Sequence, residues 1–320
     1  MLSRKKVAIS IGDLNGIGIQ IALENHHIIS KIIDPIYCID KDMLEQAARK
    51  LHLPIPNNFN TLENISPSFD IEAATVSKES GRYAYESFIK AVDLAKLKKV
   101  DAICTLPIHK KAWELAGVHY KGHTDALRDF FDAEAIMMLG CEKMYVALFT
   151  EHIPLKEVAG SINEKDLTRF LLDFYKTAKP NKKVAVLGLN PHAGDDGVLG
   201  DEETIIQKAI NNANDILINR CCRDTTPYSD PMVPDVAFTA RVRVKYTHYI
   251  AMYHDQGLTP LKALYFDEGI NVSLNLPIVR TSVDHGTAFD IAYKNVELNN
   301  LSYINAIKYI VGCSTLRQRY

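Results

Sequence analysis

The segment Tyr249–Ala292, YIAMYHDQGLTPLKALYFDEGINVSLNLPIVRTSVDHGTAFDIA, is the most informative part of the chain. In it, short apolar runs alternate with clusters of polar residues. Apolar strands that end at polar side chains are typical of α/β enzymes, whose sites lie at the carboxyl ends of parallel strands. The segment therefore predicts a functional site rather than a core strand with solvated flanks. Its polar residues are His254, Asp255, Lys262, Asn271, Arg280, Asp284 and His285-Gly286-Thr287-Ala288.

Predicted strands and helices alternate along the rest of the chain. Short apolar runs mark the strands, and a 3.6-residue hydrophobic spacing marks the helices. This alternation predicts a mainly parallel sheet with helices on both faces, which is an α/β fold. The strands are predicted at Val7–Ile11, Pro35–Ile39, Asp101–Thr105, Ala135–Leu139, Met144–Thr150 and Val184–Leu189, the helices at Asp40–Leu51, Gly81–Lys99, Asp166–Lys179, Glu202–Ile218 and Tyr303–Leu316, and loops at Pro54–Phe69 and Thr225–Pro234.

Length and composition narrow the class of protein. A chain of 320 residues suits two domains or one large α/β unit with a cleft. Its 37 basic and 39 acidic residues nearly cancel, which argues against binding to nucleic acid or to an anionic membrane. No apolar run reaches the ~20 residues that a membrane helix needs. Six cysteines without a CxxC pair are typical of free thiols, so we expect a cytoplasmic protein.

Three of the eleven histidines share one setting, because His152, His192 and His254 each follow an apolar run. The ends of parallel strands converge at one edge of a sheet, so these side chains can meet in space. Three neutral imidazoles with open positions suit a catalytic divalent metal, and the ligand type favours Zn²⁺. The separations of 40 and 62 residues match no compact metal motif. Hydrogen-bonded loop histidines therefore stay an alternative interpretation.

A second set of residues suits an anionic substrate. Arginine offers a bidentate fork to phosphate or carboxylate, and lysine offers a point charge or a proton. The first amides of a helix also attract anions, and Thr124 is placed to cap the helix that follows it. Each residue taken singly is also compatible with an ordinary surface position. The set consists of His123, Thr124, Lys262, Asn271 and Arg280.

The first predicted strand ends at a glycine-rich turn, with Gly12, Gly16 and Gly18. This spacing is not GxGxxG, and no GK[ST] follows it. The turn is therefore neither a Rossmann fingerprint nor a P-loop.

Five motifs carry a resemblance to a known family: GHTD, GLNPHAG, YHDQGLTPLK, GINVSLNLP and RTSVDHGTAFDIA. In this order they resemble the 4-hydroxythreonine-4-phosphate dehydrogenase family of pyridoxal phosphate biosynthesis, and the match spans nearly the whole chain. The resemblance implies a two-domain α/β/α fold like that of the isocitrate and isopropylmalate dehydrogenases, with a cleft between the domains. One domain is expected to comprise residues 1–120 and 265–320, and the other residues 121–264.

The resemblance also implies roles for individual residues. It implies a divalent metal (Zn, Mg or Co) on His152, His192 and His254, at a site shared between the subunits of a homodimer. The substrate contacts are implied at His123, Thr124, Lys262, Asn271 and Arg280, with Asp235 and Asp255 in support. NAD or NADP is expected at the segment His285-Gly286-Thr287-Ala288.

The implied reaction is oxidation of 4-phosphohydroxy-L-threonine, a small phosphorylated hydroxy amino acid, at its 3-hydroxyl. The β-keto acid then loses CO₂ and gives 3-amino-2-oxopropyl phosphate. Lys262 is the first candidate for the base, and it needs a lowered pKa to serve near neutral pH.

The sequence departs from the family pattern in two places. Leu14, Asn15, Ile19 and Gln20 replace residues of the usual turn GDPAGIGPE, and Asn275 stands where the family commonly has glycine. The first change bears on the cofactor and the second on the fit of the substrate.

Three other functions stay open. The first is a related dehydrogenase of threonate or erythronate 4-phosphate, which differs only at substrate carbon 2. The second is a phosphate acyltransferase of similar architecture, which needs no histidine ligands. The third is a non-catalytic metal-binding or sensor protein, against which the adjacent Lys262 and Arg280 argue.

Overall fold

A computed structural model describes residues 4–221, 225–294 and 296–313 of the chain. The chain divides into two compact units. The terminal unit consists of the residues up to Ala133, Ile270–Val272 and the residues from Leu276 onward. The central unit consists of Glu134–Gly269 and Ser273–Asn275. The functional domain borders given by the resemblance stay a prediction.

The terminal unit is built on parallel strands in the order β2-β1-β3-β10, so their carboxyl ends lie at one edge. Residues such as Val7, Ile9 and Ile103 are fully buried, as expected for strands that are covered on both faces. The strands are β1 (Lys6–Ser10), β2 (Asp34–Cys38), β3 (Ala102–Thr105) and β10 (Val279–Val283), and the helices are α1 (Gly18–Ile29), α2 (Lys41–Leu51), α3 (Lys78–Lys96), α4 (Lys110–Leu115), α5 (His123–Phe131) and α12 (Leu301–Gly312).

The central unit has the strand order β4-β5-β8-β6-β7, in which only the β4–β5 pair is antiparallel among the pairings described. Strand β9 (Ile270–Leu274) begins in the terminal unit and ends in the central unit. The strands are β4 (Ile136–Cys141), β5 (Met144–Leu148), β6 (Val184–Leu187), β7 (Tyr228–Met232) and β8 (His248–Ala251), and the helices are α6 (Leu155–Ser161), α7 (Glu164–Ala178), α8 (Glu202–Cys221), α9 (Pro234–Ala237), α10 (Ala240–Arg243) and α11 (His254–Tyr265).

The predicted α/β alternation is confirmed, with differences at three elements. The predicted loop Thr225–Pro234 contains strand β7, which tolerates Pro231 because it lies at the end of the strand order. Helix α11 begins at His254 and contains Pro260, a residue that argues against a helix in the sequence. Helix α12 ends at Gly312, and the last residues of its predicted span lie outside the described residues. Within the described ranges, no helix is long and apolar enough to cross a membrane.

Candidate functional site

The three histidines predicted as metal ligands follow neighbouring parallel strands of the central unit. His152 comes after β5, His254 after β8 and His192 after β6, and these strands are adjacent in the order β5-β8-β6. Parallel strands that are adjacent present their carboxyl ends at one edge, which is where ligands bind in α/β proteins. The structure thus places all three histidines at one edge of the central unit.

His152 and His254 lie together in a single chain. Their ring centroids are 5.5 Å apart, with an interplanar angle of 43°. The Nδ1 atom of His254 lies 2.7 Å from the Asp255 carboxylate, which leaves Nε2 as the nitrogen available to a metal. A carboxylate behind a ligating histidine fixes the tautomer and the ring orientation, as is common in metal sites. The predicted supporting role of Asp255 is compatible with this contact.

His192 lies in a turn of unusual backbone conformation, Pro191–Gly197. His192 itself has φ 55°, in the left-handed region that non-glycine residues seldom adopt. Glu203 holds the base of the turn, since its Oε1 accepts hydrogen bonds from the amides of Leu189 (2.8 Å) and Asn190 (2.7 Å). A strained turn that persists because its surroundings fix it is typical of functional segments.

Two further side chains tie the ends of these strands together. Gln256 donates from Nε2 to the Gly188 carbonyl (2.6 Å) and accepts from the Met252 amide (2.7 Å), so it links the ends of β6 and β8. Thr150 donates to the Met252 carbonyl (2.6 Å) and thereby links β5 to β8. Gln256, Thr150 and Glu203 belong to none of the residue sets predicted from the sequence. The only signal for Gln256 was its place directly after His254-Asp255.

The nitrogen donors of this edge suit a borderline divalent cation such as Zn²⁺. Among the described residues of one chain, no three His, Cys, Asp or Glu side chains are grouped closely enough to hold a metal. Asp235 is exposed in the first turn of α9. The ammonium group of Lys262, on α11, lies 5.7 Å from the centroid of the Phe266 ring.

The terminal unit contains a buried cationic pocket at Arg280. This side chain is only 2% exposed, and its guanidinium donates to Thr105 Oγ1 (2.8 Å) and to Asn271 Oδ1 (3.2 Å). Burial lowers the pKa of Arg280 to about 10, so the group stays protonated at neutral pH. The structure therefore brings together Arg280 and Asn271, two residues of the predicted substrate set.

His123 stands beside this guanidinium. It packs edge-on against Phe88 (4.8 Å between ring centroids) and against Trp113 (5.3 Å). Burial, and next the positive charge of Arg280, hold its pKa well below the ordinary value, so the ring is neutral. Its Nε2 is buried and has no hydrogen-bond partner in the described part of the chain. A neutral imidazole with an unused nitrogen beside a cation suits a polar ligand.

Thr124 does not cap the helix as predicted. The N-cap of helix α5 is Gly122, two residues before Thr124, so the helix begins at His123 and has no side-chain capping bond. Gly122 has an extended backbone (φ 162°) and takes the capping position. Thr124 instead lies buried in the first turn, the part of a helix that favours anions.

The predicted cofactor segment His285-Gly286-Thr287-Ala288 contacts the glycine-rich turn of the terminal unit. The Ile17 amide donates to the Thr287 carbonyl (3.1 Å). A Cβ atom on Gly16 would lie 2.8 Å from the same oxygen, so only glycine allows this approach. In the same segment, burial lowers the pKa of His285. The two loops at the carboxyl edge are thus in direct contact.

Comparison with known proteins assigns a family. The family described as "Pyridoxal phosphate biosynthetic protein PdxA" matches residues 31–310. A 4-hydroxythreonine-4-phosphate dehydrogenase from Sulfurimonas denitrificans is 59% identical over 311 residues, which are 97% of this chain and 98% of that protein. The crystal structure of a 4-hydroxythreonine-4-phosphate dehydrogenase from Klebsiella pneumoniae has a TM-score of 0.81 at 28% identity and covers 97% of this chain and 98% of that one.

A more distant likeness concerns the fold alone. A beta-decarboxylating dehydrogenase from Thermococcus kodakarensis has a TM-score of 0.51 at 12% identity, and it covers 96% of this chain and 84% of that one. Together, these similarities confirm the predicted fold class and the family resemblance.

Proposed function

The chain belongs to the family of the pyridoxal phosphate biosynthetic protein PdxA, and on that premise we propose that it is a 4-hydroxythreonine-4-phosphate dehydrogenase. In this proposal it oxidises 4-phosphohydroxy-L-threonine at the 3-hydroxyl with NAD or NADP as hydride acceptor, and the β-keto acid then loses CO₂. The observation that carries the proposal is the buried cation Arg280 beside the neutral His123, in a chain whose relatives bear this name.

The terminal unit supplies the groups that bind and orient the substrate. A guanidinium in a low-dielectric pocket attracts an anion more strongly than one in water, so Arg280 anchors a charged end of the substrate. The neutral imidazole of His123 offers a hydrogen bond, and Thr124 adds the first turn of α5. We assign Asn271 to the orientation of Arg280, through their hydrogen bond of 3.2 Å. Lys262, on α11 of the central unit, is the candidate for the base that removes the hydroxyl proton.

The central unit supplies the residues that would hold a divalent metal. His152, His192 and His254 are the candidate ligands, and Asp255 orients His254. When bound there, a metal lowers the pKa of a coordinated hydroxyl and polarises it for oxidation. We place the dinucleotide at His285, Gly286, Thr287 and Ala288, supported by their contact with the glycine-rich turn.

We further propose that the active site is shared in a homodimer. Lys262 lies eight residues after His254 on α11, so roughly 12 Å of helix separates their backbones, which favours their serving different sites. The loops that carry the histidines also expose large apolar side chains, which is typical of an interface. These side chains are Ile153, Leu155, Val198, Leu199 and, beside Asp235, Val236.

The substrate is tested by direct comparison of three phosphorylated acids. Purified protein, divalent metal and NAD or NADP are mixed with 4-phosphohydroxy-L-threonine, threonate 4-phosphate or erythronate 4-phosphate, and NAD(P)H is followed by absorbance at about 340 nm. We expect the amino acid to have a kcat/KM at least about tenfold above both hydroxy acids, because one buried polar contact at carbon 2 is enough for this factor. A preference for a hydroxy acid would contradict the proposal and assign the chain to that reaction instead.

The metal is tested separately by measuring the metal bound to the protein. His192→Ala should lose the bound divalent metal and turnover together, because an open metal site needs all three protein ligands. The matched control is His119→Ala, which removes an exposed histidine of the terminal unit. Full activity of His192→Ala without detectable metal would reject the ligand assignment.

A further inference from the structure

We propose that Thr105 is a positioning residue of the substrate site, whose hydroxyl holds the Arg280 guanidinium in the orientation that receives an anionic group. This inference rests on the proposed function, and it adds a residue that none of the sequence motifs contains.

The register of the sheet places Thr105 beside Arg280. Strand β10 is parallel to β3, with Arg280 paired to Ile103 and Ser282 paired to Thr105. Side chains two residues apart on a strand share a face, so Thr105 projects to the same face as Arg280. One step of this kind is about 7 Å, a distance that the long arginine side chain spans. The resulting Nη2–Oγ1 distance is 2.8 Å.

The surroundings restrict the orientation of the Arg280 guanidinium. Thr105 is fully buried and Arg280 is nearly so. Threonine is β-branched and has few side-chain conformations, so its hydroxyl is a fixed acceptor. Asn271 is the acceptor for the other terminal nitrogen, Nη1. These two acceptors, one for each terminal nitrogen, fix the plane of the Arg280 guanidinium. A guanidinium must be held in a defined plane to bind an oxyanion with two hydrogen bonds.

A valine at position 105 isolates this role from packing. Valine has nearly the shape of threonine but lacks the hydroxyl, so Thr105→Val removes the acceptor from the buried guanidinium and leaves the volume almost unchanged. Thr105→Ser keeps the hydroxyl and should rescue binding. The matched control is Thr281→Val, which removes a hydroxyl from a fully buried threonine of β10, in contact with the Cys104 thiol.

The sole tryptophan of the chain provides a binding signal that is independent of turnover. Trp113 is fully buried and packs edge-on against His123, with 5.3 Å between the ring centroids. An anion that binds beside His123 and Arg280 changes the environment of the indole. Titration with inorganic phosphate and with 4-phosphohydroxy-L-threonine, followed by tryptophan fluorescence, therefore yields dissociation constants directly.

We expect Thr105→Val to weaken the binding of at least one of these two ligands by about tenfold or more, as for the loss of a charge-assisted hydrogen bond, and to raise KM more than it lowers kcat. Thr105→Ser and Thr281→Val should stay within about twofold of the wild-type protein. The inference would be overturned if Thr105→Val bound both ligands as tightly as the wild-type protein does. It would also be overturned if Thr105→Ser did not restore binding, or if the wild-type protein bound neither ligand. A wild-type protein that binds phosphate but does not oxidise the amino acid would reject the proposed function alone.

Discussion

Asp13 is a carboxylic acid that is fully buried in the glycine-rich turn of the terminal unit. Its Oδ1 accepts from the Asn15 amide (2.9 Å) and its Oδ2 accepts from the Ser80 hydroxyl (3.3 Å). Burial nevertheless raises its pKa to about 6, since these two contacts do not offset the loss of hydration. The folded state therefore binds a proton more tightly than the unfolded state does.

The raised pKa of Asp13 predicts the direction in which Asp13→Asn changes the free energy of unfolding. A raised carboxyl pKa destabilises the fold above pH 6, where the buried group must ionise, and the penalty disappears as the pH falls from 6 towards 4. We expect Asp13→Asn to be more stable than the wild-type protein at pH 8 by up to about 3 kcal/mol, because the amide can keep both hydrogen bonds. Urea unfolding at pH 8 and pH 5 measures the difference.

Asp93→Asn is the matched control, because Asp93 is exposed on α3 and its replacement should change stability little at either pH. An Asp13→Asn variant that is less stable than the wild-type protein at pH 8 would show that the carboxylate is stabilised by more than the described contacts.

The residue types of the candidate site are visible in the sequence, but the contacts between them are not. Histidines, lysine and arginine after apolar runs indicate catalysis through their chemistry alone. Thr105, Glu203 and Gln256 carry no such signal, because their importance lies in which distant backbone or side-chain atom they contact. Contacts of this kind depend on strand register, which a single sequence does not reveal.

Gly257 determines how closely α11 packs on its sheet. A Cβ atom at this position would lie 2.4 Å from Val146 Cγ1 on β5 and 2.8 Å from the Ala251 Cβ on β8. Contacts this short force a neighbour to move, so glycine lets the helix approach the strands. Because His254 is on the same helix, this approach also sets the distance between His254 and His152.

We therefore expect Gly257→Ala to move α11 outward, to destabilise the fold by roughly 1–3 kcal/mol and to weaken metal binding about tenfold or more. The double variant Gly257→Ala/Val146→Ala should recover part of both losses, because it removes the methyl group in the closest contact. The control Gly160→Ala lies on α6, where an added Cβ meets nothing within 4 Å. Isothermal titration with Zn²⁺ and thermal unfolding measure the two effects, and unchanged metal affinity in Gly257→Ala would contradict this role of the helix.

Two elements show why local sequence signals fail. Strand β7 has the composition of a loop, yet pairing with β6 makes it a strand. Helix α11 contains Pro260 and forms because one face, including Leu258 and Leu261, is buried in the core.

Asn275, where the family commonly has glycine, has φ 58°. Asparagine is among the few residues that tolerate this left-handed conformation, so the backbone requirement is kept although the residue differs.

At the scale of the whole molecule, hydrophobic periodicity was sufficient to predict the α/β class. Each long element with clear periodicity was found near its predicted bounds, such as α2 at Lys41–Leu51 and α3 at Lys78–Lys96. The order of the strands was not predictable, because the sequence states which segments are strands and not which strands are neighbours. The adjacency of β5, β8 and β6, on which the histidine site depends, came only from the structure.

The proposed shared site predicts that two inactive variants restore activity when they form a mixed dimer. His254→Ala removes a metal ligand, and Lys262→Ala removes the candidate base. If the histidines of one subunit serve the same site as Lys262 of the partner, each mixed dimer contains one site without a mutation. Random mixing of equal amounts makes half of the dimers mixed, so we expect about a quarter of wild-type activity.

The test uses the two variants with different affinity tags, unfolded together, refolded, and purified over both tags so that only mixed dimers are assayed. The doubly tagged fraction should then have about half the activity of the wild-type dimer, since one of its two sites is intact. His152→Ala mixed with His254→Ala is the matched control, and it should stay inactive because these two rings lie 5.5 Å apart within one chain and belong to the same site. A doubly tagged His254→Ala/Lys262→Ala dimer without activity would place both residues in a site formed by a single subunit, because each site would then contain one of the two mutations.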